Sequence, residues 1–429
     1  MSIDPGLRSW VASANEAATD FPIQNLPFGV CTRRGASGAG IGVAIGDHVL
    51  SIDACVGLGL LSDEVSRAIA RDTSLNALMA RGNVAAVKLR EAIAAVLEEG
   101  NSAAARHASS ILTAMSAVEM VMPARIGDYT DFYASINHAH NVGTMLRPEN
   151  PLLPNYKFIP VGYHGRASSV VVSGSDVRRP YGQQKGDPAP TVGPTQSLDY
   201  ELEVGAFVGT GNALGEPITI GNAETHMWGV CLLNDWSARD VQAWEGQPLG
   251  PFLSKNFSTT ISPWVVALDA LEPYRVPALT RPSGDPAPLP YLSSAEDSQR
   301  GGIDFTLEVW IRSAQMRANG QGAMRLSRAS FKEMYWTFAQ MLTHHAMNGC
   351  NLQPGDLLGS GTVSGKDRDA MGCLLERTRR GAEPFDLPSG ERRGFLLDGD
   401  EVIMRGYAER DGFARIGLGV CRGTVTPAI

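Results

Sequence analysis

Short apolar runs separated by turn residues open the chain: Phe28-Gly-Val-Cys-Thr, Ile41-Gly-Val-Ala-Ile and His48-Val-Leu-Ser-Ile. Runs of this length, rich in β-branched residues, predict short strands. Gly46-Asp47 lies between the last two and predicts a tight turn, so residues 20–60 read as a small antiparallel unit. The period then changes. In Val84-Ala-Ala-Val-Lys-Leu-Arg-Glu-Ala-Ile-Ala-Ala-Val-Leu the apolar positions recur at helical spacing. Residues 62–118 therefore predict helices, broken near Gly82 and Gly100. From 119 onward strand-like runs return between Gly- and Pro-rich turns. This change of pattern divides the chain into 1–118 and 119–429. Within the second part, 180–197 and 277–300 read as long loops. Phe331–Asn348 reads as one helix that Gly349 ends.

The run Leu198-Asp199-Tyr200-Glu201-Leu202-Glu203-Val204 alternates apolar or aromatic positions with acidic ones. In a strand, successive side chains point to opposite faces, so Asp199, Glu201 and Glu203 share one face. Carboxylates two residues apart lie about 7 Å from each other along the strand and can converge on one cation. On spacing alone, a half-buried strand with a solvated acidic face is the commoner arrangement. An apolar strand from Trp228 runs into Asn234-Asp235, with Arg239 and Gln242 three apart on a following helical turn. Asp235 is either a site residue at a strand end or a helix cap paired with Arg239. Gly127-Asp-Tyr-Thr-Asp-Phe-Tyr-Ala-Ser-Ile-Asn-His138 is dense in functional groups. A helix beginning at Asp131 would put His138 on the same face. Glycine-rich turns beside Tyr163, Lys255 and Thr362 allow backbone to approach a ligand closely.

Composition narrows the class. The chain has 429 residues, 43% hydrophobic and 19% charged, which is ordinary for a globular protein. Its net charge of -8 gives no general field for nucleic acid or anionic membrane, so neither is an expected partner. The six cysteines form no C-x-x-C pair and sit mostly in apolar runs, as buried thiols in a reducing compartment would. The start Met1-Ser-Ile-Asp-Pro-Gly lacks the basic and apolar regions of a signal peptide. No apolar run approaches the roughly 20 residues of a membrane span. A cytoplasmic location is the expectation. No phosphate-binding loop, G-x-S-x-G elbow or H-E-x-x-H helix occurs.

Several long strings, in order along the chain, carry a resemblance. They are Asp20-Phe-Pro-Ile-Gln-Asn-Leu-Pro-Phe-Gly-Val, Ile126-Gly-Asp-Tyr-Thr-Asp-Phe-Tyr, Val161-Gly-Tyr-His-Gly-Arg-Ala-Ser-Ser, Asn234-Asp-Trp-Ser-Ala-Arg-Asp, Asn351-Leu-Gln-Pro-Gly-Asp-Leu-Leu-Gly-Ser-Gly-Thr and Phe395-Leu-Leu-Asp-Gly-Asp-Glu-Val. Together they resemble the fumarylacetoacetate hydrolase family in its full-length, two-domain form. The resemblance implies a mainly β fold with some α structure. It implies a small N-terminal Src-homology-3-like β-barrel domain, a larger C-terminal mixed β-roll domain, and a homodimer. The implied reaction is metal-dependent hydrolysis of a carbon–carbon bond in fumarylacetoacetate, giving fumarate and acetoacetate, the last step of tyrosine and phenylalanine catabolism.

Roles follow by position. The resemblance makes Asp131, Glu201, Glu203 and Asp235 ligands of Mg²⁺ or Ca²⁺, with Lys255 and Thr259 beside the ion. It makes His138 the general base, oriented by Glu376, and sets Arg239, Gln242 and Lys255 around developing negative charge. Tyr133, Arg147, Tyr163 and Thr362 match substrate-contacting positions. One position departs: where the family has a tyrosine after Trp-Glu, this chain has Gly246. The helical stretch 62–118 matches poorly.

These groups suit the chemistry. An all-oxygen carboxylate set suits a hard cation. An imidazole can take a proton near neutral pH, and fixed donors stabilise an oxyanion. A related decarboxylase, isomerase or acylpyruvate hydrolase on the same scaffold is the main alternative. A non-catalytic metal-binding β protein is the other.

Overall fold

The computed structural model describes residues 3–35 and 38–429. Met1 and Ser2, where the reading of the chain's start begins, lie outside the described residues.

The predicted antiparallel unit is present. Among the described residues it is a curled five-stranded half-barrel, in the order Leu112–Ala114, His48–Ser51, Gly40–Ile45, Phe28–Arg33, Val118–Val121. Gly46, at φ +56°, makes the turn between the two central strands. The boundary placed near 118 falls on the first residue of a strand that belongs to this sheet, since Val30 pairs with Val121. Between the third strand and the edge run the helices, the longest being Gly82–Leu97. Gly82 and Gly100 both take positive φ and mark the breaks. Leu89, Ile93 and Leu97 on this helix pack into the apolar core. Arg90 on the same helix is fully buried. It donates to the carbonyls of Gln24 and Asn25 and pairs with Asp269 of the second part.

The second part is built on two sheets. The central one runs Gly162–His164, Tyr129–Phe132, Leu357–Gly359, Leu202–Val208, Met227–Asp235, Thr259–Ile261, Val170–Val172, and Val266–Ala267 also pairs with the Met227–Asp235 strand. It is mixed, because Tyr129–Phe132 and Val170–Val172 each pair in parallel with a neighbour. The other sheet holds Met324–Ser330, Phe305–Arg312, Glu401–Ala408, Ile416–Thr426 and Asp176–Arg178. Leu202, Val204 and Leu232 of the central sheet share a core with Phe305, Val309, Met404 and Leu418. Its opposite face, with Phe207, Trp228 and Leu233, packs on Phe28, Val30 and Leu89 of the N-terminal unit. The central sheet is thus covered on both sides. A polar residue in it has no solvent to face, so it must find a partner.

Four local readings change. The 277–300 stretch is not loop throughout: it ends in the helix Ala295–Arg300, capped by Ser294. The 180–197 stretch is not a loop but a hairpin of Tyr181–Gln184 with Thr191–Pro194. The single helix over Phe331–Asn348 is in fact a 3₁₀ turn, Phe331–Glu333, then a helix, Phe338–Ala346. Thr337 and Gln340 form a capping box that sets the true start. Gly349, at φ +83°, follows its end. Asp131 does not start a helix either: it lies in the Tyr129–Phe132 strand, and Ser135 caps the helix Ile136–Leu146 that carries His138.

Candidate active site

The site forms where several strands of the central sheet end together. Asp131 comes from Tyr129–Phe132 and Asp235 from the last position of Met227–Asp235. Glu203 is in Leu202–Val208, and Glu201 lies just before that strand begins. The alternating run breaks here, with Leu198–Asp199 forming a separate short strand against Ser237–Ala238. All four acids are buried. One oxygen from each lies within 4.8 Å of those of the others. The solvated acidic face, the commoner arrangement on spacing alone, is not what forms.

Asp199, the third acid of the run, goes elsewhere. It accepts from Arg239 Nε at 3.0 Å and from the backbone N–H groups of Leu374 and Leu375, each at 2.8 Å. It therefore holds Arg239 in place from behind. Arg239 Nη1 reaches Glu201 Oε1 at 2.6 Å and Gln242 Oε1 at 3.1 Å. Its Nη2 is buried without a partner. Arg239 thus pairs with Asp199 and Glu201 rather than Asp235, and Asp235 caps no helix.

Lys255 Nζ lies 2.5 Å from Glu201 Oε2 and 2.6 Å from Asp235 Oδ2. Thr259 Oγ1 donates to Asp235 Oδ1 at 2.9 Å, and Tyr163 OH to Asp235 Oδ2 at 2.8 Å. The Gly361 N–H, in a turn at φ +75°, is shared between Asp131 Oδ1 at 3.2 Å and Glu203 Oε2 at 3.0 Å. The Gly359–Gly361 turn is where the glycines let backbone reach the acids. A Cβ on Gly359 would come 2.7 Å from Asp131 Oδ1 and 2.9 Å from Glu203 Oε2.

The charges do not balance within the protein. Burial, with Asp235 alongside, pushes Asp131 up to about 8. Burial and the neighbouring acids hold Glu203 well above the usual carboxylate range. Burial would raise Glu201 too, but Lys255, Arg239 and His138 outweigh it and hold it below that range. Glu203 Oε1 is buried without any hydrogen-bond partner. Ionised together, the four acids would carry more negative charge than Lys255 and a shared Arg239 can offset, and an oxygen is left over. Both features fit a hard divalent cation, which takes oxygen donors and charge together.

Beside this cluster lies a second group. His138 Nδ1 is 2.7 Å from Glu376 Oε2. Glu376 also accepts from Asn141 Nδ2 at 2.9 Å, Ser364 Oγ at 2.8 Å and Cys373 Sγ at 3.1 Å. Burial works against its charge, but His138, Asn141 and Cys373 hold Glu376 below its ordinary pKa. The Tyr133 ring meets His138 edge-on, with centroids 5.2 Å apart.

Of the residues picked from sequence, the fold gathers Asp131, Glu201, Glu203, Asp235, Lys255, Thr259, Tyr163, Arg239 and Gln242 through these contacts, and pairs His138 with Glu376. Thr362 is buried next to Gly372. Arg147 stands apart: it is exposed at the end of the His138 helix, with Nη2 on the Pro151 carbonyl at 3.2 Å. Gly246 ends the helix Arg239–Glu245. A Cβ there would lie 2.8 Å from the Gln242 carbonyl oxygen, so a larger residue would require the helix end to shift. Sequence reading missed Asn141, Ser364, Cys373 and Tyr129. Asn141 alone had a visible signal, lying three residues beyond His138 on the same helical face.

Comparison with known proteins identifies the family. Residues 24–123 match the family model for the fumarylacetoacetase N-terminal domain, and residues 129–426 match that for the fumarylacetoacetate hydrolase C-terminal domain. A bovine (Bos taurus) fumarylacetoacetase is 48% identical over 421 residues, covering 96% of this chain and 97% of the bovine one. The Oryza sativa fumarylacetoacetase is 44% identical over 434 residues, covering 99% and 98%. Among solved structures, a fumarylacetoacetate hydrolase from Exiguobacterium antarcticum shares the fold at TM-score 0.52 and 17% identity, covering 94% of this chain and 99% of that one. With both family models matched and near-full-length relatives at this identity, the chain belongs to the fumarylacetoacetate hydrolase family and is a hydrolase.

Proposed function

We propose that this chain hydrolyses the carbon–carbon bond of fumarylacetoacetate to give fumarate and acetoacetate, ending tyrosine and phenylalanine catabolism. The observation that carries the reading is a buried His–Glu pair, 2.7 Å apart, beside a buried cluster of four carboxylates. A general base and an oxygen-rich cation site are the two things this reaction needs.

His138 donates a hydrogen bond from Nδ1–H to Glu376, which stays ionised, and so leaves Nε2 free to accept a proton from water. The hydroxide adds to a carbonyl carbon of the diketone. The bond to the central carbon then breaks, leaving an enolate carbanion that takes a proton back from the imidazolium. Glu376 stabilises that imidazolium. The buried, unpartnered Nη2 of Arg239 is a donor held ready for developing negative charge, with Lys255 and Gln242 beside it. Tyr133 and Thr362 are proposed to line the substrate pocket, and Tyr163 to stand at its cation end. Arg147 is the exposed cation proposed to meet a substrate carboxylate.

Asp131, Glu201, Glu203 and Asp235 would hold Mg²⁺ or Ca²⁺, with Lys255 and Thr259 alongside. When bound, such a cation supplies Lewis-acid stabilisation of the diketone oxygens. A homodimer in the cytoplasm is the proposed state, checked by light scattering for the former.

The test is incubation with fumarylacetoacetate and, separately, with oxaloacetate, with products identified by NMR. Fumarate and acetoacetate in equal amounts support the reading. Turnover of oxaloacetate alone would replace it with a decarboxylase on the same scaffold.

A further inference from the structure

Two phenols reach the carboxylate cluster, and they differ. Tyr163 donates to Asp235 at 2.8 Å. Tyr129 lies on the Asp131 strand, is 2% exposed, and its hydroxyl is buried with no hydrogen-bond partner. A buried hydroxyl without a partner forfeits the hydrogen bonds it would make in water, so it needs a reason. Its position supplies one. A Cβ built on Gly359 would lie 3.2 Å from the Tyr129 hydroxyl, 2.7 Å from Asp131 Oδ1 and 2.9 Å from Glu203 Oε2. These three oxygens therefore converge on one point above the glycine. The second orphan oxygen of the cluster, Glu203 Oε1, belongs to the same carboxylate. The Tyr129 ring is held in this place from the side: a Cβ on Gly165 would collide with Cδ1.

We propose that Tyr129 is a positioning residue for the cation, its hydroxyl donating to an oxygen of the cation's surroundings and thereby fixing how Glu203 and Asp131 face the ion. The oxygen is either a carboxylate oxygen or a water the ion holds. The inference rests on the cation reading above. Groups that orient ligands in this way are typically worth about 10–100-fold in metal affinity.

The test is Tyr129→Phe, which removes one oxygen and nothing else. Binding of Mg²⁺ and of Mn²⁺ is measured by calorimetry on metal-stripped protein, and bound Mn²⁺ by electron paramagnetic resonance. The expected result is about 10–100-fold weaker binding of both ions and an altered Mn²⁺ spectrum, with the melting temperature of the stripped protein unchanged or raised, since an unpartnered hydroxyl is removed. Affinity within twofold of the parent, with the same Mn²⁺ spectrum, overturns the proposal. If the parent itself binds neither of these ions nor Ca²⁺, the cation reading fails and takes this inference with it. Gly165→Ala, which pushes on the ring instead of deleting the oxygen, is expected to weaken Mg²⁺ in the same direction. It decides the matter should Tyr129→Phe fail to fold.

Discussion

His138 Nδ1 and Glu376 Oε2 stand 2.7 Å apart, and both side chains are buried. A carboxylate that accepts from Nδ1 leaves Nε2 as the nitrogen able to take a proton, the role proposed for it. Three further donors, Asn141, Ser364 and Cys373, keep Glu376 from turning away. His138→Ala is expected to lower kcat by about 10²–10⁴, with a much smaller change in KM. Glu376→Gln is expected to act in the same direction, because a neutral amide cannot stabilise the imidazolium. Steady-state kinetics on fumarylacetoacetate check both. Near-parental kcat in either variant would remove the base from this position.

Chelation tests the cluster. Asp131 is pushed up to about 8 by burial beside Asp235, and Glu203 stays well above its ordinary range. Those positions record negative charge that the protein alone leaves uncompensated. Stripping with EDTA is expected to abolish turnover, and Mg²⁺ or Ca²⁺ to restore it. At about 100 times the dissociation constant, the added ion should also stabilise the fold by about 2.7 kcal/mol, seen as a rise in melting temperature. Full activity in protein shown by elemental analysis to be metal-free would sink the cation's part.

Arg239 is held on three sides and open on the fourth. Asp199 takes its Nε, Glu201 and Gln242 share its Nη1, and Nη2 has no partner. A lysine has no planar fork and cannot keep Asp199 and Glu201 while presenting a further donor. Arg239→Lys is therefore expected to lower kcat about 10²–10³-fold while the chain stays folded. Circular dichroism and kinetics together check it. A rise confined to KM, with kcat unchanged, would mean that Arg239 binds substrate without favouring the transition state.

How much of this was legible beforehand differs from residue to residue. The first hairpin could be read directly, because Gly46-Asp47 between two apolar runs is a local signal. The Asp131 helix could not. It begins only at Ile136, because Ser135 supplies the cap and Tyr129–Phe132 is drawn into the sheet by pairing with Leu357–Gly359, far away in sequence. Glu201 and Glu203 illustrate a different obstacle. Alternation shows which residues share a face but not what covers it, and here a second unit does. Only the resemblance of whole strings brought the four acids together. Tyr129 and Ser364 were silent because no local pattern marks what they meet: Ser364 donates to Glu376 twelve residues on, and the Tyr129 hydroxyl lies with Asp131 and Glu203 over the Gly359 backbone.

Asp297 offers a test of stability away from the site. It sits in the first turn of the helix Ala295–Arg300, is 7% exposed, and accepts from Thr337 Oγ1 at 2.8 Å. Burial pushes its pKa up from 3.8 to about 6, with the Thr337 hydrogen bond and Arg275 opposing and Glu224 adding to the rise. The folded protein thus keeps a proton on Asp297 between about pH 4 and 6, where the unfolded chain has already lost it. A raised acid of this kind contributes stability at low pH that is lost as pH rises through that window. Asp297→Asn keeps an acceptor for Thr337 and removes the charge. It is expected to leave stability near pH 4 almost unchanged and to raise it at pH 7.5 by on the order of 2 kcal/mol. Urea unfolding at the two pH values measures this. An equal gain at both would show that the buried charge is not the cause.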